Sequence, residues 1–267
     1  MKRKMRFDLL SEDKILSLLK TELLGNKIYA FWSVGSTNEF AYQRGLQGEK
    51  EGALVIAEEQ TKGRGRMSRK WDSPFNKGLW FSVVLRPDLA ASKAGLLPYL
   101  AGISVAEAVE NFIGINPHMK WPNDLLLNGK KFCGILSEVE FINGKINFII
   151  LGIGINANHK QDEIPEELQS QATSLRIESG SRIDRAELLA EVLLYLEKNY
   201  KDAKEFDFTG VLNKWKKRCL QYGKKIVVKQ DDNTYYGKFE DLDDAGCLLM
   251  RTKSKELIKI VAGDIAF

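Results

Sequence analysis

Two Asn-Gly pairs, Asn128-Gly129 and Asn143-Gly144, constrain the middle of this 267-residue chain more than any other feature. Asn-Gly is the preferred dipeptide of the two-residue type I′ turn, because both positions must take a positive φ. The pairs separate three strand-like runs, 125–127, 132–139 and 145–155, so an antiparallel meander is expected. Upstream, 27–34, 53–57 and 78–85 read as further strands. Helical spacing of leucines predicts a short helix that Gly25-Asn26 stops, and longer helices over 92–112, 184–200 and 208–220. Ser36-Thr37-Asn38-Glu39 reads as a capping box opening a helix through about Arg44. From Gly223 the texture changes to short strand-like runs, 225–229, 234–240, 247–252 and 257–261, separated by polar turns, which suggests a small barrel.

Charge narrows the function classes. Lys and Arg total 40 against 36 Asp and Glu, a formal +4, and Lys62, Arg64, Arg66, Arg69 and Lys70 supply five of those cations without an intervening acid. Taking these five from +4 leaves −1 for the rest of the chain. Basic residues gathered in one glycine-containing segment suit a small anionic ligand better than a nucleic-acid face. The cysteines, Cys133, Cys219 and Cys247, are odd in number and form no C-x-x-C pair, and His118 and His159 are the only histidines. Neither a disulfide framework nor a zinc site is indicated. The longest apolar run, 148–153, is far below the roughly 18 residues of a membrane span. The basic start, Met1 to Arg6, leads into no apolar h-region, so a cytoplasmic protein with no membrane association is expected. The segment before the first strand is too short for a winged helix, and no sequence-specific DNA binding is expected.

Three segments carry candidate chemistry. Gly63-Arg64-Gly65-Arg66-Met67-Ser68-Arg69-Lys70-Trp71 lies between two strands. Glycines let backbone amides approach a ligand, guanidinium forks bind phosphate or carboxylate oxygens, and Trp71 could cover an organic ligand. A solvated surface loop is the plain alternative, and no Walker-type P-loop occurs anywhere. Lys120-Trp121-Pro122-Asn123-Asp124 precedes the first Asn-Gly turn and Lys131 to Glu138 follow it, which brings Asp124 and Lys131 within reach of each other across the hairpin. Gly152-Ile153-Gly154-Ile155-Asn156 ends the meander with alternating glycines, which leave one face bare for a ligand, another backbone or a bulge.

Taken together, these stretches and Ala172-Thr173-Ser174-Leu175 resemble the biotin protein ligase family from Ser36 to Phe267. Each motif alone is common; the combination is specific. The resemblance implies an α/β (α+β) fold: a mixed, largely antiparallel sheet with helices packed on one side over 27–220, after a short N-terminal helix within 1–26, and an SH3-like barrel over 221–267. It implies ATP-dependent activation of biotin as biotinyl-5′-AMP, then transfer to a lysine of a biotin carboxyl carrier protein of acetyl-CoA carboxylase or a related carboxylase. Such an enzyme uses biotin, ATP and Mg²⁺, the metal arriving with ATP and no protein ligand set being assigned. The shorter N-terminal region points to the monofunctional class, and a homodimer is compatible with it. By correspondence, Ser36, Thr37, Gln60, Gly63, Arg64, Lys131, Gly134, Gly152 and Gly154 bind biotin. Arg66, Arg69, Trp71, Lys120, Asn123, Asp124 and Asn156 bind the nucleotide or adenylate, with Lys131, Asp124 and Arg66 catalytic.

The same residues have structural accounts: Ser36 as a helix cap, Lys131 as a hairpin-edge lysine, Asp124 as a turn carboxylate. Asp124 could orient or deprotonate the acceptor amine or help hold Mg²⁺. Two positions depart from the family pattern, Met67-Ser68 where a residue plus Gly is frequent, and Cys133 where a small residue is usual. The alternatives are a lipoate-type acyl-adenylate ligase, whose loop matches poorly, and a non-enzymatic nucleic-acid binder, against which the −1 remainder argues.

Overall fold

A computed structural model describes residues 9–230 and 232–266; the basic start, residue 231 of the expected Asp-Asp-Asn turn and Phe267 lie outside the described residues. Seven strands form the large sheet: β1 (Ile28–Val34), β2 (Leu54–Gln60), β3 (Gly78–Leu85), β4 (His118–Lys120), β5 (Asp124–Leu127), β6 (Lys130–Ile142) and β7 (Lys145–Asn156). Their order is β1-β2-β3-β7-β6-β5-β4. Both Asn-Gly pairs turn as expected, with φ of 48° and 77° at Asn128-Gly129 and 51° and 74° at Asn143-Gly144. The β1–β2 pair is parallel, which requires a crossover, and α2 (Thr37–Leu46) supplies it.

The helices α3 (Leu97–Ile113), α5 (Arg185–Phe206) and α6 (Thr209–Arg218) share one core with Leu54, Ile56, Phe81, Val83, Ile149 and Leu151 of the sheet. All three were expected, although α5 runs on to Phe206 rather than ending at 200. The short α2, expected from its capping box, departs from the expected one-sided packing: Ala41 packs with Val55, Val84, Phe148 and Ile150 on the opposite face. Close approach is possible there because Gly45 carries no Cβ, which would lie 2.7 Å from the Phe148 ring. By length and composition alone Ala91–Ile113 could cross a membrane. Much of its apolar surface is instead buried here.

Two further helix boundaries differ from the sequence expectation, and one helix is new. The first helix, α1 (Glu12–Leu18), stops before Leu23 and Leu24, whose backbone N–H groups both donate to the Glu197 carboxylate at 2.9 Å. Those amides are satisfied without a helix. The expected helix over 92–112 begins as a 3₁₀ segment, Ala91–Leu96, and becomes α-helical where Pro98 occupies the first turn. A short helix, α4 (Leu175–Ser179), capped by Ser174 and ended by Gly180, had no expected counterpart.

The C-terminal strands β8 (Lys225–Gln230), β9 (Asn233–Leu242), β10 (Leu248–Thr252), β11 (Leu257–Ile260) and β12 (Asp264–Ala266) form a second, antiparallel sheet in the order β11-β10-β9-β8-β12. A four-strand meander whose fifth strand returns beside the first is the SH3-like arrangement. The three-residue β12 was too short to read from sequence. This sheet is fixed to the large unit through Tyr99, which donates to the Gly246 carbonyl at 2.5 Å and lies edge-on to Trp215 at 5.0 Å.

Candidate active site

The basic loop is a folded feature. Gly65 N–H donates to the Arg69 carbonyl at 2.7 Å and Trp71 N–H to Gly63 at 3.0 Å, with a bridge between Arg64 and Lys70. Met67 and Ser68 both take left-handed φ, 54° and 58°, in the positions where the family pattern often has a glycine. Non-glycine residues are held there only by surrounding contacts. A Cβ on Gly63 would lie 2.3 Å from the Trp71 carbonyl, so the glycine permits the closing of the loop.

The loop delivers the Trp71 ring onto the bare face of the meander. Cβ atoms built at Gly154 and Gly134 would meet that ring at 2.6 and 2.9 Å. Gly152 faces Asn38 of α2, with a corresponding distance of 1.9 Å to its Oδ1. The alternating glycines are thus explained by two side chains, Trp71 and Asn38. The buried Trp71 Nε1 has no hydrogen-bond partner among the described residues.

Two cavities meet at this ring. Every residue of the expected biotin set except Gly63 lines the first, beside α2 and the glycines of β7. Lys120 and Asn156 line the second, while Arg69, Trp71, Asp124 and Lys131 line both. Arg66 and Asn123, expected beside the nucleotide, face the first cavity rather than the second. Arg66 Nη1 donates to Asn123 Oδ1 at 3.3 Å, and Asn123 Nδ2 donates to the Ile135 carbonyl at 2.5 Å, so the asparagine fixes the guanidinium to the strand.

At the junction, Lys131 Nζ lies 2.7 Å from Asp124 Oδ1 and 5.0 Å from the Trp71 ring centroid. The register explains the meeting. Leu126 pairs with Lys131 and Leu125 with Cys133, which leaves Phe132 as one extra residue, a β-bulge. Without it Lys131 and Gly134, three apart, would point to opposite faces. With it, Lys131 Nζ lies 3.3 Å from the Cβ position of Gly134, above the first cavity. The backbone of Lys131 is held from outside the sheet, donating to Gln171 at 2.7 Å and accepting from Thr173 at 2.9 Å. Cys133 faces the core with no exposed surface, and burial pushes its thiol pKa up, so it stays a packed thiol.

The inner wall of the first cavity is a chain of polar side chains. Gln60 Oε1 accepts from the Thr37 N–H at 2.8 Å and hydroxyl at 3.0 Å, while its Nε2 donates to Ser73 Oγ at 2.9 Å. Ser82 Oγ bridges Thr37 Oγ1 and Asn38 Oδ1 at 2.8 and 2.6 Å. Asn38 Nδ2 reaches Glu138 at 2.8 Å, and the same carboxylate holds Arg64 at 2.8 Å. Ser36 caps α2, its Oγ accepting from Glu39 N–H at 3.5 Å, and its side chain also lines the cavity. Ser73, Ser82 and the roles of Asn38 and Glu138 were not read from sequence, because isolated polar residues spread over a loop, a helix and two strands carry no spacing signal.

Charge is concentrated where the two cavities meet. Burial lowers the pKa of Lys120, and Asp124 opposes the shift. Burial also lowers that of Arg66, opposed by Asp264 and Asp124. His159, buried beside Trp80, is held neutral by burial, its pKa lowered to about 4. Asp264, from β12, lines both cavities and pairs with Arg69. Nothing in its short terminal strand marked it in advance.

Comparison with known proteins places the chain among relatives of known kind. Residues 31–156 match the model of the biotin/lipoate A/B protein ligase family, and 222–267 match the biotin protein ligase C terminal domain. The bifunctional ligase/repressor BirA of Bacillus spizizenii is 40% identical over 96% of this chain and 78% of its own length. The biotin–[acetyl-CoA-carboxylase] ligase of Paracoccus denitrificans is 31% identical over 78% of this chain and 86% of its own. Among solved structures, the biotin protein ligase from Aquifex aeolicus in complex with biotin and ATP superposes with a TM-score of 0.78 at 33% identity, covering 90% of this chain and 98% of that one.

Proposed function

The chain belongs to the biotin protein ligase family, and on that premise we propose how its residues carry out the two half-reactions. It is a biotin–protein ligase: biotin is activated with ATP and the acyl group passes to a protein lysine. The observation that carries the residue assignment is the Lys131–Asp124 pair, 2.7 Å apart at the junction of two cavities. One cavity, with its mixed donors and acceptors at Thr37 and Gln60, suits the ureido ring of biotin. The other, lined by Arg69, Lys120 and Asn156, suits the nucleotide. We assign the chemistry to 27–220, with 221–267 as its companion.

In the first step the biotin carboxylate attacks the α-phosphorus of ATP, an acyl–phosphate bond forms, and pyrophosphate leaves. Both reactants are anionic. The Lys131 ammonium, facing both cavities, lowers their repulsion and stabilises charge on the α-phosphoryl oxygens in the transition state. Arg66 and Arg69 supply further N–H donors, and Trp71 covers the labile anhydride from water. Mg²⁺ bound with the nucleotide would neutralise phosphate charge. Its arrival with ATP suits a site whose nearby carboxylates, Asp124 and Asp264, already pair with Lys131 and Arg69. In the second step the acceptor amine attacks the acyl carbon, AMP leaves, and the amine loses a proton. We assign Asp124 to accept a hydrogen bond from that amine and orient it. The acceptor is the biotin carboxyl carrier protein of a biotin-dependent carboxylase.

The test is direct: incubate the protein with ATP, Mg²⁺ and either biotin or lipoate and identify the acyl-adenylate by mass spectrometry. Biotinyl-AMP is expected with biotin and no lipoyl-AMP with lipoate. Lipoyl-AMP as the main product would overturn the substrate assignment.

A further inference from the structure

The small C-terminal sheet sends one carboxylate into the wall that the two cavities share. Asp264 opens β12, and its Oδ2 accepts from Arg69 Nη2. Its Oδ1 lies 4.0 Å from Arg66 Nη1, which also donates to the Gly263 carbonyl at 3.4 Å. These contacts tie residues nearly two hundred positions apart. We infer that Asp264 is a positioning residue for adenylation: from the C-terminal sheet it aligns Arg66 and Arg69 for the phosphates of ATP. This rests on the reading of the site as an adenylating one.

Two features of the loop support the role. Arg66 and Arg69 are three residues apart and of like charge, and between them the chain takes two consecutive left-handed residues, Met67 and Ser68. Such a loop holds one shape only if its surroundings impose it, and a carboxylate beside both guanidiniums relieves their repulsion. The way each is gripped matters more. Among the described residues Arg69 spends Nη2 on Asp264, and Arg66 spends Nη1 on Asn123 and Gly263. Each therefore keeps its other terminal nitrogen and Nε for a phosphate, so the clamp orients the forks without consuming them. With Lys120 and Lys131 nearby, the cations outnumber Asp124 and Asp264, and incoming phosphates still meet net positive charge.

The experiment compares full-length wild type, Asp264→Asn and Asp264→Glu in biotinyl-AMP formation, varying ATP and biotin separately. The neutral variant should raise KM for ATP about five- to tenfold, as expected for losing a charge-assisted hydrogen bond at a partly exposed site, and leave KM for biotin within about twofold. Glu should recover part of the loss. A cycle with Arg69→Gln guards against a fold defect: once Arg69 is changed, Asp264→Asn should add little. ATP KM unchanged or lowered in Asp264→Asn, biotin KM rising in step, or full additivity with Arg69→Gln would each overturn the inference. Wild type that makes no biotinyl-AMP would instead overturn the reading of the site, and this inference with it.

Discussion

Arg185 and the loop pair Arg66 and Arg69 carry the same guanidinium in different surroundings. Arg185 has no exposed surface, and both terminal nitrogens are committed: Nη1 to Glu58 at 2.8 Å and Gly78 at 3.1 Å, Nη2 to Asn76 at 2.6 Å and Glu58 at 3.3 Å. It joins the start of α5 to the sheet, and Glu58 extends the tie to Leu10 N–H at 2.7 Å. Arg69 is 63% exposed and held by one nitrogen. An arginine with both terminal nitrogens committed in the core serves the fold, whereas one gripped at a single point has donors left for a ligand. Spacing in the sequence singled out the second kind and passed over the first.

That contrast can be broken by substitution. Arg185→Met leaves Glu58 as an unpaired buried carboxylate and should cost about 3–5 kcal/mol of stability, read as a large fall in the denaturation midpoint. Arg69→Met should stay within about 0.5 kcal/mol of wild type while impairing adenylation. Equal stability losses would erase the distinction. The glycines allow a sharper version at smaller cost. Gly154→Ala drives a methyl to 2.6 Å from the Trp71 ring and should cost about 1–3 kcal/mol, with adenylation lowered as the ring shifts. Gly65→Ala meets its nearest neighbour at 3.4 Å, and thermal unfolding should show it nearly unchanged.

A smaller effect follows from His159. Its pKa is lowered to about 4 by burial, against an ordinary 6.5, so the unfolded chain takes up the proton first as pH falls. Its contribution is complete above pH 6.5, declines toward pH 4 and is then level. Roughly 0.5–1 kcal/mol should be lost between pH 7 and 6. His159→Gln should flatten that part of the stability profile, and an unchanged profile would mean that the imidazole takes up its proton equally in the folded and the unfolded chain.

Much of the fold was legible because its signals are local. Asn128-Gly129 and Asn143-Gly144 need positive φ, and the apolar runs beside them have strand length. The Lys131–Asp124 meeting was also within reach, because both flank one turn. The orientation of Lys131 was not, since it depends on the extra residue Phe132, and no composition rule marks a bulge. Nor was the end of α1, which is set by Glu197 from a distant helix, nor which face the expected helix α2 would cover, where Gly45 and Gly152 make room for its contacts with the sheet. Asp264 reaches Arg69 only through the docking of the second sheet. What escaped was long-range packing, while the residue types that do chemistry were visible in their motifs.

The assignment of Lys131 to the reacting centre is tested most directly by single-turnover adenylation with Lys131→Ala. The side chain is partly exposed and its backbone contacts do not depend on it, so the variant should fold as wild type does. Biotinyl-AMP formation should slow by about a hundredfold or more, while biotin affinity changes by no more than a few-fold, because the ammonium acts chiefly on charge that develops during the transfer. Adenylation within a few-fold of wild type would contradict the account and leave Lys131 a hairpin-edge lysine.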